Sequence, residues 1–219
     1  MVLDAQETRP PNDNHPAGVR RSSSQVWRWV QVATHVAALA PLALLLLAWA
    51  SGRLGANPVR AITLRTGRYA LTLLVLSLAC TPARIVTGVA AIQRLQRPLG
   101  LYAFFYVLLH LLTYVGLDFG FNWTFLWPDI TQQHFIQVGL LAFLLLLPLA
   151  MTSTRWWRRR LGRNWKRLHR LAYLAAALAV LHFFWLVKGD WRRPLVVAIV
   201  LALLLLFRLP PIRKALTRQ

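Results

Sequence analysis

Histidine is the residue type in this chain best suited to chemistry, and there are six. His35, His110 and His182 stand inside long apolar runs. His169 marks the entrance to the run that holds His182, His134 borders another, and His15 lies in a polar leading stretch. An imidazole in apolar surroundings can hydrogen-bond to a neighbouring helix, relay protons or ligate a metal. Cys80 is the single cysteine, which rules out an internal disulfide and a cysteine-ligated zinc or iron–sulfur site. No Cys-x-x-Cys-His occurs, so covalent c-type attachment is excluded as well. No Asp or Glu lies well inside an apolar run. Proton-coupled transporters commonly rely on such carboxylates, so a pump is disfavoured. A small transporter or scaffold with packing or relay histidines remains the non-redox alternative.

Composition shows what must position these side chains. Hydrophobic residues make up 57% of the 219 and charged residues 15%, yet the net charge is +20. A soluble domain of this length needs more polar surface, and nucleic-acid binding would explain the charge but not the apolar runs. Membrane helices joined by arginine-rich loops satisfy both facts. A crossing takes about 20 mostly apolar residues for a core about 30 Å thick. Six stretches qualify: Val32–Ala50, Tyr69–Val86, Leu99–Leu117, Phe135–Met151, Leu168–Val187 and Pro194–Leu209. The second is the weakest, because Pro82 and Arg84 interrupt its end. The runs are continuous, not alternating, so helices are expected instead of a barrel. The expected fold is all-α, an integral membrane bundle of six transmembrane helices, and no internal repeat is evident.

Residues 1–25, with Arg9-Pro10-Pro11 and Ser22-Ser23-Ser24, read as a disordered cytoplasmic tail. Residues 26–210 form the membrane domain, and 211–219 a basic C-terminal tail. Ala48-Trp49-Ala50 fits a small-x-small cleavage pattern, but the apolar run is long for a signal peptide, so the first helix is expected to remain. With a cytoplasmic N-terminus, nineteen Lys and Arg fall on the cytoplasmic side and seven on the other. That bias favours both termini inside. The basic stretch Arg155–Arg170 reads as a cytoplasmic loop held by anionic head groups of the lipid bilayer, with a flavin phosphate or an acidic partner as the sharper alternative. No nucleic acid partner is expected.

Depth singles out one histidine pair. His110 lies about 7 residues before the outer end of the third span and His182 about 5 before that of the fifth. At about 1.5 Å per residue they stand at similar height. Two neutral imidazoles facing each other across a bundle are what a six-coordinate b-type haem requires. Phe104, Phe105, Tyr106, Leu109, Phe183, Phe184 and Trp185 suit a flat apolar macrocycle, and Arg65, Arg68 and Lys188 suit its propionates. His169, about 20 Å nearer the cytoplasmic face, is a candidate ligand for a second haem, with His35 as its available partner. The position equivalent to His169 on the third span is Arg97.

The chain also resembles a family. Leu54-Gly55-Ala56-Asn57-Pro58-Val59, Thr66-Gly67-Arg68, Arg97-Pro98-Leu99-Gly100, Leu109-His110-Leu111, the stretch Leu161–Tyr173 and Trp185-Leu186-Val187-Lys188 carry the likeness. It is similar to the membrane haem subunit of the bacterial periplasmic methionine-sulfoxide reductase system, in the ferric-reductase-like transmembrane group. The resemblance implies an inner-membrane cytochrome b that also uses FMN. It would pass electrons from quinol or a cytosolic flavin reductase to a periplasmic molybdenum enzyme that reduces methionine sulfoxide in oxidised proteins. Carried over by position, His110 and His182 are the iron ligands and His169 a further candidate, while Arg97 departs from the wider pattern of two histidines on each of two helices. About ten residues follow the sixth span, so no nicotinamide-binding domain is expected there. The chain would be an electron-transfer subunit, without a substrate-reducing site of its own; a stand-alone ferric or quinone reductase is the redox alternative. Gly67, Gly100, Pro58 and Pro98 read as packing and helix-entry residues.

Overall fold

The computed structural model describes residues 17–187 and 189–208. His15, Lys188, the 211–219 tail and most of the leading tail therefore lie outside the described residues. Every regular element among the described residues is helical: α1 (Ala17–Ala50), α2 (Pro58–Thr87), α3 (Gln93–Leu112), α4 (Trp123–Gln132), α5 (His134–Met151), α6 (Arg155–Leu161), α7 (Arg163–Leu168), α8 (Leu171–Leu186) and α9 (Arg192–Leu206). A 3₁₀ turn, Ala90–Ile92, leads into α3, and a π-helical turn, Thr113–Asp118, continues it. Five stretches are long and apolar enough to cross a membrane: Gln25–Ala50, Pro58–Thr87, Ala90–Asp118, His134–Met151 and Arg163–Leu186. They cover the first five expected spans. α9 covers the sixth, but its 15 residues extend only about 22 Å. α1 is already helical at Ala17, inside the stretch expected to be tail.

Local chemistry explains the ends. In lipid a backbone must satisfy itself, which only helices and closed barrels achieve. Asn57 caps α2 by accepting the Arg60 amide at 2.9 Å, with Pro58 at the first turn where no N–H is needed. Gly88, at φ 70°, closes the other end in the left-handed conformation. Outer faces carry Leu44, Leu47, Leu144, Leu174 and Leu203 exposed, as lipid contact requires.

α2 runs straight through Pro82 and Arg84, where the sequence suggested an interruption. A proline inside a helix leaves the carbonyl four residues earlier without its donor. Here that carbonyl is Leu78's, and Arg208, just past α9, donates to it through Nη2 at 2.7 Å. Arg208 also donates to the Tyr173 hydroxyl on α8 and lies over its ring. The defect in α2 is thereby repaired by a side chain that ties the last helix to the bundle.

Packing is densest within two helix pairs, α2 with α3 and α5 with α8. Small buried residues let the backbones approach: Ala70 and Ala103 in the first pair, Ala142 and Ala175 in the second. These residues correspond one to one. Adding 72 to the number of Gly67, Ala70, Leu74, Ala103 or His110 gives Gly139, Ala142, Leu146, Ala175 or His182 (139 − 67 and 182 − 110 alike). The sequence shows no evident repeat because only scattered inward positions keep their identity. Phe104 of α3 stacks on Phe143 of α5 at 5.9 Å, joining the two pairs. α1 is stitched to α3 by the Tyr106 hydroxyl, which donates to the Ala38 carbonyl at 2.7 Å.

Removing the Arg208 donor should leave the Leu78 carbonyl unpaired, a cost of about 1–3 kcal/mol. Arg208→Leu is expected to lower the unfolding midpoint in detergent in the Pro82 background. In a Pro82→Ala background, where the helix supplies its own N–H, the same change should cost clearly less. Equal losses in both backgrounds would contradict this repair.

Candidate functional site

α3 and α8 deliver His110 and His182 to one place. Their ring centroids are 6.1 Å apart, with the ring planes at 84°. Each ring is half-buried and held by a backbone carbonyl on the facing helix of its own pair. His110 Nδ1 lies 2.8 Å from the Thr63 carbonyl oxygen on α2. His182 Nδ1 lies 2.6 Å from the Phe135 carbonyl oxygen on α5. A carbonyl oxygen only accepts, so Nδ1 carries the proton in both rings. Nε2 is then left with a lone pair on each neutral imidazole, the tautomer a metal ligand needs.

A Cβ at Gly67 would stand 3.1 Å from His110 Cε1 and Nδ1, and one at Gly139 would stand 2.8 Å from His182 Nδ1. The bare backbone at both positions is what lets the rings reach their carbonyls. Both histidines lie 47 residues beyond their acceptors, so the two half-sites are copies of one arrangement.

A haem iron fits between these rings by a simple measure. A metal–imidazole bond is about 2 Å long, and the ring centre lies about 1.1 Å beyond the nitrogen. Two such ligands on one ion put the centroids about 6.2 Å apart, against the 6.1 Å observed. Among the described residues no cluster of three or more His, Cys, Asp or Glu offers an ordinary metal cage. The pair therefore suits a group that brings its own equatorial ligands, which a porphyrin does.

The other expected residues are placed as follows. His169 stacks on Trp165 at 3.9 Å, with its Nδ1 3.2 Å from the Trp165 carbonyl oxygen. His35 is exposed and shares a 2.9 Å hydrogen bond with the Tyr102 hydroxyl. These two have different partners. Arg68 is exposed on α2, one residue past Gly67, and its Nε donates to the Leu64 carbonyl at 3.3 Å; Arg65 is half-buried. Tyr106 is fully buried and donates to the Ala38 carbonyl of α1; Phe135 lies beside His182, at 5.8 Å. Sequence reasoning missed Gly139 and the carbonyls of Thr63 and Phe135. The one available signal was the common 72-residue offset.

The segment between α3 and α5 also differs from a plain loop. The 118–134 segment contains α4, capped by Asn122, whose side chain accepts the Thr124 amide at 3.1 Å. Leu126 is buried beneath it, while Trp123, Phe125 and Trp127 are exposed. The Tyr114 hydroxyl, one turn beyond His110, donates to Asp129 of α4 at 2.6 Å. The π-helical turn that carries Tyr114 is a type of distortion frequent at functional sites.

Comparison with known proteins accords with this geometry. Residues 66–180 match the model of the ferric reductase like transmembrane component. A protein-methionine-sulfoxide reductase heme-binding subunit MsrQ of Xanthomonas axonopodis pv. citri is 53% identical over 180 residues, 80% of this chain and 83% of the relative. The protein of that name from Xanthomonas campestris pv. campestris is 51% identical over 186 residues, 81% and 84% of the two chains. The one from Rhodospirillum rubrum is 50% identical over 182 residues, 83% and 88% of the two chains. This chain belongs to the ferric-reductase-like transmembrane family, in the branch these subunits form.

Proposed function

We propose that this chain is the haem-carrying membrane subunit of a protein-methionine-sulfoxide reductase system, moving electrons across the bilayer to a catalytic partner. The observation that carries the reading is the His110–His182 pair, two neutral imidazoles 6.1 Å apart, in a chain about half identical to relatives named as heme-binding subunits. His110 and His182 are the residues that would hold the iron, each through its free Nε2. Their Nδ1–H groups donate to the Thr63 and Phe135 carbonyls, which fixes ring orientation and raises ligand basicity. Bound there, a b-type haem supplies one-electron redox chemistry. The surrounding helices hold both ligands and keep bulk water from the pair, so the potential is set by burial and these hydrogen bonds.

The finer reading is a six-span inner-membrane protein with both termini in the cytoplasm, α9 being the sixth crossing. The charge bias supports this orientation, as does the neutral-to-acidic 118–134 segment with Asp118 and Asp129 and no Lys or Arg. His110 and His182 then stand nearer the periplasmic face, toward a soluble molybdenum-containing enzyme that reduces methionine sulfoxide. The donor is the quinol pool or a cytosolic flavin reductase. FMN, which the resemblance adds, would find guanidinium donors for its phosphate in α6 and α7 on the cytoplasmic side. The reading commits to one haem at His110/His182, with His169 and His35 outside its ligand set.

The direct test is replacement of each histidine in haem-replete protein. His110→Ala and His182→Ala should each abolish the six-coordinate low-spin b-type spectrum. His35→Ala and His169→Ala should retain it. Unchanged haem content in both of the first two variants would defeat the assignment. Perpendicular imidazoles carry a second signature: the ferric protein should give the strongly anisotropic low-spin EPR signal of crossed ligand planes, and the rhombic signal of parallel planes would contradict the 84° angle. For topology, a cysteine placed at Asn122 should react with an impermeant thiol reagent added outside intact spheroplasts, and one at Ser153 should not; the reverse pattern would invert the orientation.

A further inference from the structure

Gly67 and Gly139 occupy corresponding places in the two helix pairs, and each faces a histidine ring. At Gly67 the nearest atoms to an added Cβ are His110 Cε1 and Nδ1, both at 3.1 Å, then Cγ at 3.8 Å. At Gly139 they are His182 Nδ1 at 2.8 Å, Cε1 at 3.0 Å and Cγ at 3.4 Å. Both rings therefore turn their Nδ1–Cε1 edge to the glycine, and Nε2, bonded to Cε1, is not among the three nearest atoms. Each glycine follows by four residues the carbonyl that receives the same ring's Nδ1–H, so donor site and bare backbone lie one turn apart on one helix face. A hydrogen bond alone leaves a ring free to swing about the bond. A backbone wall in contact with the same edge removes that freedom.

We infer that Gly67 and Gly139 are positioning residues for the two imidazoles: with the Thr63 and Phe135 carbonyls they form a pair of clamps that set where each Nε2 stands and hold the ring planes crossed. The inference rests on the two-imidazole reading above and adds the residues that set its geometry. A methyl group at either position must push the ring edge away, because ordinary contact begins near 3.4 Å. Metal–ligand distances tolerate only about ±0.2 Å, so a ring pushed by several tenths of an ångström has to tilt or lengthen its bond. The contact is closer at Gly139, so the effect should be larger there. An ordinary mid-helix glycine behaves differently, since alanine stabilises an unencumbered helix.

The test uses the full chain, expressed haem-replete and purified in detergent, as wild type, Gly67→Ala, Gly139→Ala and Gly100→Ala. Gly100 is the control, because its added Cβ would meet Ser77 Oγ at 3.2 Å and no histidine. Haem content, low-spin EPR and midpoint potential are measured together. The expected result is a shifted EPR signal and a shifted potential in Gly139→Ala, a smaller shift in Gly67→Ala, and the wild-type values in Gly100→Ala. Wild-type EPR and potential in both clamp variants would overturn the inference. So would failure of both to accumulate while Gly100→Ala does, since that assigns these glycines to packing of the chain as a whole. A wild-type protein lacking any two-imidazole low-spin signal would overturn the reading beneath it and the clamps' redox role with it.

Discussion

The structure depends on a hydrogen bond made twice: an imidazole Nδ1–H from one helix to a main-chain carbonyl on its neighbour. In a membrane interior an unpaired polar group costs several kcal/mol, so a histidine there needs a partner. The Thr63 and Phe135 carbonyls already sit in helices, and each has a second lone pair to offer. Accepting the histidine proton settles the tautomer and with it the direction of the free lone pair. Two neutral rings, each with a free Nε2 and centroids 6.1 Å apart, follow from that one contact.

The rest of the fold can be understood as what lets this contact form in duplicate. Ala70, Ala103, Ala142 and Ala175 bring paired helices close, and Gly67 and Gly139 bring them closer at the rings. Because the same spacing recurs in α2–α3 and α5–α8, the two half-sites meet related by the pairing of the helices. The recurrence thus places two histidines in equivalent settings beside each other. The asymmetric parts lie elsewhere: α1 is bound to α3 through Tyr106, and α9 through Arg208 to the carbonyl that Pro82 leaves open.

Much of this was legible in the residues. Continuous apolar runs mark the crossing helices, because lipid admits no other open backbone, and the rise per residue was enough to put His110 and His182 at one height. Three features were not legible. Pro82 looks like a break, since the sequence does not show that an arginine 126 positions on (208 − 82) will answer the missing donor. α4 looks like loop because it is short and contains Pro128, and its amphipathic face is recognisable only once Leu126 is seen buried and Asp129 paired with Tyr114. The repeat stayed hidden because lipid-facing positions are interchangeable among Leu, Val, Ile and Phe, so identity survives only where helices touch or where a ring must fit. His169 and His35 show what depth alone leaves open: His169 stacks on Trp165, and His35 shares a hydrogen bond with Tyr102.

Near-infrared magnetic circular dichroism of the purified ferric protein tests the central claim most directly, because the charge-transfer band of a low-spin haem reports the identity of its two axial ligands. The account predicts one haem per chain with the band of two neutral imidazoles. A histidine–methionine or high-spin band, or no haem at all, would contradict it.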